Sequence, residues 1–191
     1  MAESGAVQER PLRADARRNR ERLLEVAVQA FAEGREVSLE GIAKAAGVGI
    51  GTLYRHFPTR EALVEAAYRN EVARLCDGVP GLLAAAPADG AMRTWMDRFV
   101  DYMTAKRGMV DTLRAIVASG TDLFGGTKTR MREAVQSFLD AGAEQGVLRA
   151  DVDPEDVLTA VTGVTLAAGA PHQREQAGRL LDLIMDGLRA R

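Results

Sequence analysis

Histidine, cysteine and long apolar runs are all scarce in this chain, and each scarcity removes a class of chemistry. Two histidines, His56 and His172, are too few for the usual protein-only metal cage. The one cysteine, Cys76, cannot close an internal disulfide. No cofactor or metal is therefore expected. No uncharged apolar run approaches the ~18 residues of a membrane span, and the opening MAESGAVQERPLRADARR has no apolar signal core, so a cytoplasmic protein with no membrane partner is expected. Lysine is rare too: arginine outnumbers it 22 to 3, a bias that GC-rich codon usage explains as readily as a preference for bidentate contacts. What is present, 47% hydrophobic and 27% charged residues in 191, is the composition of one large or two small globular domains. Collagen-like, disordered and disulfide-scaffold readings fall away.

The formal charge of -2 conceals an asymmetry. Residues 1–60 hold ten Lys/Arg against eight Asp/Glu, while residues 61–191 hold fifteen against nineteen. Arg10, Arg13, Arg17, Arg18, Arg20 and Arg22 fall within thirteen residues, a density that suits a phosphate backbone or a solvated helix face.

Apolar residues recur three and four apart almost throughout, and sustained strand alternation is missing, so an all-α fold is expected. The spacing predicts a helix from about Ala14 to Ala32 with Leu23, Leu24, Ala27, Ala30 and Phe31 on one face, ended by Gly34. Ser38 is placed to cap a helix over Leu39–Ala46, stopped by Gly47. A short helix over about Ile50–Phe57 follows, then Pro58, and Thr59 can cap a longer helix from Arg60 to about Cys76. Gly78, Pro80, Gly81, Pro87 and Gly90 mark a connection between an N-terminal unit, 1–77, and a larger C-terminal one, 78–191. Beyond it, helices are predicted at about Ala91–Lys106, Met109–Ser119, Lys128–Gln145, Pro154–Ala168 and Gln173–Arg189.

The informative stretch is Ser38 to Phe57, SLEGIAKAAGVGIGTLYRHF, in which two short helices joined by a glycine turn form a helix-turn-helix. Ala43 leaves room where the helices cross, Gly47 can take the positive φ of the turn, and Ile42, Val48 and Leu53 supply the buried wedge. A helix of about eight residues is unstable alone, so its neighbours must hold it. Thr52, Tyr54, Arg55, His56 and the nearby Arg60 are then the outward groups, and all can hydrogen-bond a phosphate. They gather beside two helix N-termini and near the arginine-rich first helix, although Tyr54 and His56 taken singly also fit half-buried surface residues.

From about Arg17 to Leu75, and most closely in AAGVGIGTLYRHFPTREAL, the chain resembles the DNA-binding segment of the tetracycline-repressor (TetR) family. The resemblance implies an N-terminal three-helix DNA-binding domain with its connecting fourth helix and a C-terminal helical effector and dimerisation domain. It implies a recognition helix at Ile50–Phe57, with Thr52, Tyr54, His56 and Arg60 contacting phosphates and Lys44 and Arg55 as weaker candidates. Gly49 stands where the family often has a capping serine, a small loss at an N-cap. Ile50 stands where a polar side chain is frequent. With Ile50 and Gly51 at the front of the helix, readout would use a thymine methyl, close backbone approach and DNA shape. Gly47, Gly49 and Gly51 do not make a dinucleotide loop, since the third glycine is misplaced and no strand precedes it. Cys76 and His172 lack a third partner for nucleophilic catalysis, so no enzyme is expected.

One recognition helix buries too little on DNA for tight specific binding, so a homodimer on a double-stranded operator is expected. Its seat is read as the last helix pair, through Val157, Leu158, Val161 and Val164 on one helix and Leu180, Leu181, Ile184, Met185 and Leu188 on the other, which also suit the monomer's own core. The middle of the chain is rich in soft apolar residues: Met92, Trp95, Met96, Phe99, Met103, Leu113, Ile116, Phe124, Met131 and Phe138. Alone these read as core; under the resemblance they enclose a small-molecule effector pocket, with Tyr102, Thr112 and Ser119 as polar orienters. The expectation is a ligand-responsive transcriptional regulator, a repressor released by a small apolar effector. An all-helical enzyme or carrier, or a DNA-binding protein with no effector, are its rivals.

Overall fold

The computed structural model describes residues 6–34 and 38–190, with side chains from residue 14 onward and Pro171 excepted. The side chains of Arg10 and Arg13 therefore lie outside it. Ten α-helices follow in order: α1 (Ala6–Ala32), α2 (Leu39–Ala45), α3 (Ile50–His56), α4 (Arg60–Asp77), α5 (Val79–Ala85), α6 (Ala88–Gly108), α7 (Val110–Ala118), α8 (Thr127–Glu144), α9 (Pro154–Ala167) and α10 (Arg174–Leu188). Among the described residues there is no strand, only an isolated antiparallel bridge between Leu148 and Arg189. No described helix is long and apolar enough to cross a membrane.

Two expectations are corrected. The segment read as a connection holds α5, because Pro80 lies in the first turn, where its missing N–H removes no helical bond, and Val79, Leu82 and Leu83 pack on the core. Helix α6 accordingly starts at Ala88 rather than Ala91. Helix α1 begins at Ala6, ahead of the Ala14 from which its apolar spacing runs.

One hydrophobic core runs through both halves of the chain. Leu23, Leu24, Ala27 and Phe31 of α1 close over Ile42 and Ala43 of α2, Leu53 of α3 and Leu63 and Val64 of α4, all buried. Helix α6 is the central strut, with Met92, Trp95, Met96, Phe99, Val100, Tyr102 and Ala105 all buried. It meets α4, α8, α9 and α10 along its length and α1 near its end. At that end a Cβ on Gly108 would stand 1.9 Å from the Phe31 carbonyl oxygen, so only glycine lets the two backbones touch. Helix α4 is tied to the rest by Trp95 Nε1, which donates to the Leu75 carbonyl at 2.9 Å, and by the Arg130–Asp77 ion pair at 2.8 Å.

Candidate nucleic-acid interface and ligand cavity

The helix-turn-helix is built by its caps. Ser38 Oγ accepts from the Gly41 N–H at 3.0 Å and starts α2. Gly47, at φ +68°, then reverses the chain while Val48 N–H donates back to the Ala43 carbonyl at 3.0 Å. Gly49 starts α3 without a side-chain cap, and Phe57 ends it. Thr59 Oγ1, accepting from the Ala62 N–H at 3.1 Å, restarts the chain as α4. Leu53 is the one buried residue of α3, and Phe57 is sealed beneath Arg20, whose guanidinium lies 5.4 Å from its ring centroid. The outer surface of α3 is thus fixed by a single leucine and the caps.

That surface exposes Ile50 (40%), Gly51, Tyr54 (44%) and Arg55, with Gly49 in front of it and Lys44 on α2. Thr52 and His56 are half-buried, and His56 tilts against Phe57 at 6.2 Å between ring centroids. Arg60 is also half-buried, its guanidinium 5.7 Å from the Phe31 ring centroid, so it braces α4 on α1. On α1, Arg17 pairs with Glu21 at 3.6 Å and Arg18 with Asp15. Such exposed pairs are worth ~0–1 kcal/mol and can be exchanged for phosphate contacts at little cost.

A separate cavity of about 540 Å³ opens between α4, α6, α8 and α9, within the range of ligand sites. Tyr68 of α4 and Phe99, Tyr102, Met103 and Lys106 of α6 form its inner wall. Phe124, in the loop before α8, and Thr127, Lys128 and Met131 close one side. Glu155, Leu158, Thr159, Thr162, Gly163 and Leu166 of α9 form the other. Tyr68 and Phe124 meet edge to face with centroids 5.3 Å apart, and Tyr68 OH donates to Thr127 Oγ1 at 3.4 Å. Burial pushes the Tyr102 phenol well above its ordinary value and the Lys106 ammonium below its own.

Of the ten residues assigned to the pocket by sequence, Phe99, Met103, Phe124 and Met131 line this cavity. Met92, Trp95, Met96, Leu113, Ile116 and Phe138 do not: they are buried core. Trp95 stacks behind Phe99 at 5.5 Å and against Phe138 at 6.1 Å, so these rings support the cavity from the far side. Of the polar orienters only Tyr102 is present; Thr112 and Ser119 lie elsewhere on or beside α7. Sequence reasoning missed Tyr68, Lys106, Lys128 and the α9 wall. One signal was available, since Phe99, Met103 and Lys106 recur at helical spacing and lysine is rare. Cys76 is half-buried, and burial pushes its thiol up, which leaves it a poor nucleophile; His172 is exposed.

Comparison with known proteins covers both halves of the chain. Residues 23–67 match the profile "Bacterial regulatory proteins, tetR family", and residues 86–190 match "Transcriptional regulator SbtR-like, C-terminal domain". The chain is 55% identical to a TetR transcriptional regulator from Streptomyces coelicolor whose crystal structure it resembles with a TM-score of 0.84, over 90% of this chain and 98% of that one. A TetR regulatory protein from Mycobacterium vanbaalenii is 38% identical, with a TM-score of 0.73 over 94% and 100% of the two chains. The HTH-type transcriptional repressor KstR2 of Rhodococcus jostii is 26% identical over 184 residues, 88% of this chain and 90% of its own length.

Proposed function

We propose that this chain, which belongs to the tetR family of bacterial regulatory proteins and is a DNA-binding transcriptional regulator, works as a homodimeric repressor that a small effector releases. In this reading Ile50 and Gly51 face base edges in the major groove. Lys44, Thr52, Tyr54, Arg55, His56 and Arg60 hold the phosphates on either side. Residues 1–77 are the reading unit and 78–191 the sensing and pairing unit, built on one continuous core.

The observation that carries the proposal is the position of α4. Its first residue, Arg60, comes four residues after His56 at the end of the recognition helix, and Tyr68, eight residues further on, is part of the cavity wall. At 1.5 Å per residue these points are about 12 Å apart on one rigid element. A ligand that fits the cavity only when Tyr68 shifts must move the start of α4 with it. The two recognition helices of a dimer would then miss successive major grooves, and the operator would be lost through differential affinity.

The test is gel retardation with genomic operator fragments. Tyr54→Ala with Lys44→Ala, both at exposed positions, should reduce retention at least tenfold while light scattering still shows a dimer. Retention by the wild type should also fall steeply with salt, as counterion release requires. Undiminished binding by the double variant would defeat the interface assignment.

A further inference from the structure

The chemistry inside the cavity is more specific than its size. The chain has three lysines against twenty-two arginines, and two of the three, Lys106 and Lys128, line this one cavity. Lysine presents a compact point charge on a flexible stem, where arginine would present a broad planar fork. Lys128 is already neutralised, with its Nζ 2.7 Å from Glu155 Oε1 at the rim. Lys106 is not. Its Nζ sits among three rings, 4.9 Å from the Phe124 centroid, 5.7 Å from Tyr68 and 5.8 Å from Tyr102. No carboxylate of the described residues lies within ion-pairing distance of it.

Ring faces attract a cation but do not neutralise it, and a half-desolvated ammonium without an anion is an incomplete arrangement. The cavity's formally charged lining, two lysines and one glutamate beside two neutral phenols, leaves one positive charge unbalanced, centred on Lys106. Most of the remaining wall is apolar, through Phe99, Met103, Met131, Leu158 and Leu166, with the hydroxyls of Thr127, Thr159 and Thr162 as its other polar groups. A cationic ligand finds its place in the aromatic box taken by Lys106 itself, and a dianionic head group brings more charge than the site can balance. One negative charge on an apolar body satisfies both the ammonium and the walls.

We infer that the ligand of this cavity is an apolar monocarboxylate, its head group accepting a charge-assisted hydrogen bond from Lys106 Nζ and its body lying on the methionines and Phe99. This rests on the reading of the cavity as the effector site.

The test uses the full-length dimer and three probes of one chain length, decanoate, 1-decanol and decylamine. Each is titrated by calorimetry below its aggregation threshold, and by gel retardation of operator DNA. Decanoate should bind at least tenfold more tightly than the alcohol or the amine and should release DNA at the lowest concentration. In Lys106→Met, and again in Lys106→Gln, decanoate should fall to the affinity of the alcohol. Equal binding of acid and alcohol to the wild type, or a preference that survives both variants, overturns the charge assignment while leaving the cavity a ligand site. Failure of all three probes to bind overturns the effector reading as well.

Discussion

Lys106 is held against its own stability. Its ammonium lies over the rings of Tyr68, Tyr102 and Phe124, but burial disfavours the charged head and pushes it below its ordinary value of 10.5. In the folded chain Lys106 gives up its proton earlier than in the unfolded one. Between the lowered value and 10.5 the unfolded state holds more protons, so its contribution makes stability rise with pH there and is unfavourable below. Lys106 faces Tyr68 and Tyr102, with the Lys128–Glu155 pair at the rim, and the raised Tyr102 phenol acts oppositely only above the phenol's ordinary range. Replacing Lys106 by methionine keeps the stem and removes the penalty. Lys106→Met should therefore melt a few degrees higher at neutral pH, each 1 kcal/mol being worth about 2–4 °C in a chain of this size, and the advantage should shrink as pH approaches 10.5. A variant that melts lower by calorimetry would mean that the ammonium already has its partner in the free protein.

At the level of helices, the short elements depend on single residues. Helices α2 and α3 have seven residues each, far below the ~12–15 at which a helix is even marginal alone. Their angle is set by Gly47 at φ +68°, where an added Cβ costs ~1–2 kcal/mol even though nothing lies within 4 Å of it. Gly47→Ala should lower the melting temperature by several degrees and weaken operator retention more than in proportion, because the turn aims α3. Gly108→Ala has a different fault: its Cβ would meet the Phe31 carbonyl, so α1 and α6 must part, at an overpacking cost of ~1–3 kcal/mol. Limited proteolysis should then cut the chain between its two units sooner than in the wild type. These junctions were legible in unequal measure. Ser38, Thr59 and Pro154 announce helix starts by their own side chains, so those boundaries could be read directly. Gly108 looks like an ordinary helix end, and α5 looks like a linker, because the partner that gives each its meaning is distant in sequence.

For the molecule as a whole, the same distinction separates the two sites. The proposed interface on α2 and α3 is one contiguous stretch whose spacing encodes it, whereas the cavity draws Tyr68, the Phe99–Lys106 face, Phe124–Met131 and the α9 wall from four separated segments. Composition could say only that soft apolar residues were abundant, and six of the ten named from it lie buried in the core and not on the cavity wall. Oligomeric state lies between these cases. Val157, Val161, Leu181 and Met185 of the proposed seat are buried within the subunit. What α9 and α10 leave outward is Leu166, 78% exposed, and Leu183, 66% exposed, flanked by the half-buried Leu180 and Ile184. Two large leucines this bare on the last two helices suit a two-fold four-helix contact, in which each is covered by a second copy. Leu183 touches neither the cavity nor the DNA-reading unit, which makes it the cleaner probe. Leu183→Glu would place like charges together across the axis and should yield monomers by light scattering, with the helical signal retained. The second half-site contact then ceases to be intramolecular, so operator affinity should fall by ~10²–10⁴ although every residue of α3 is intact. A variant that stays dimeric, or a monomer that holds its operator as tightly as before, would move the subunit contact elsewhere or remove its role in DNA binding.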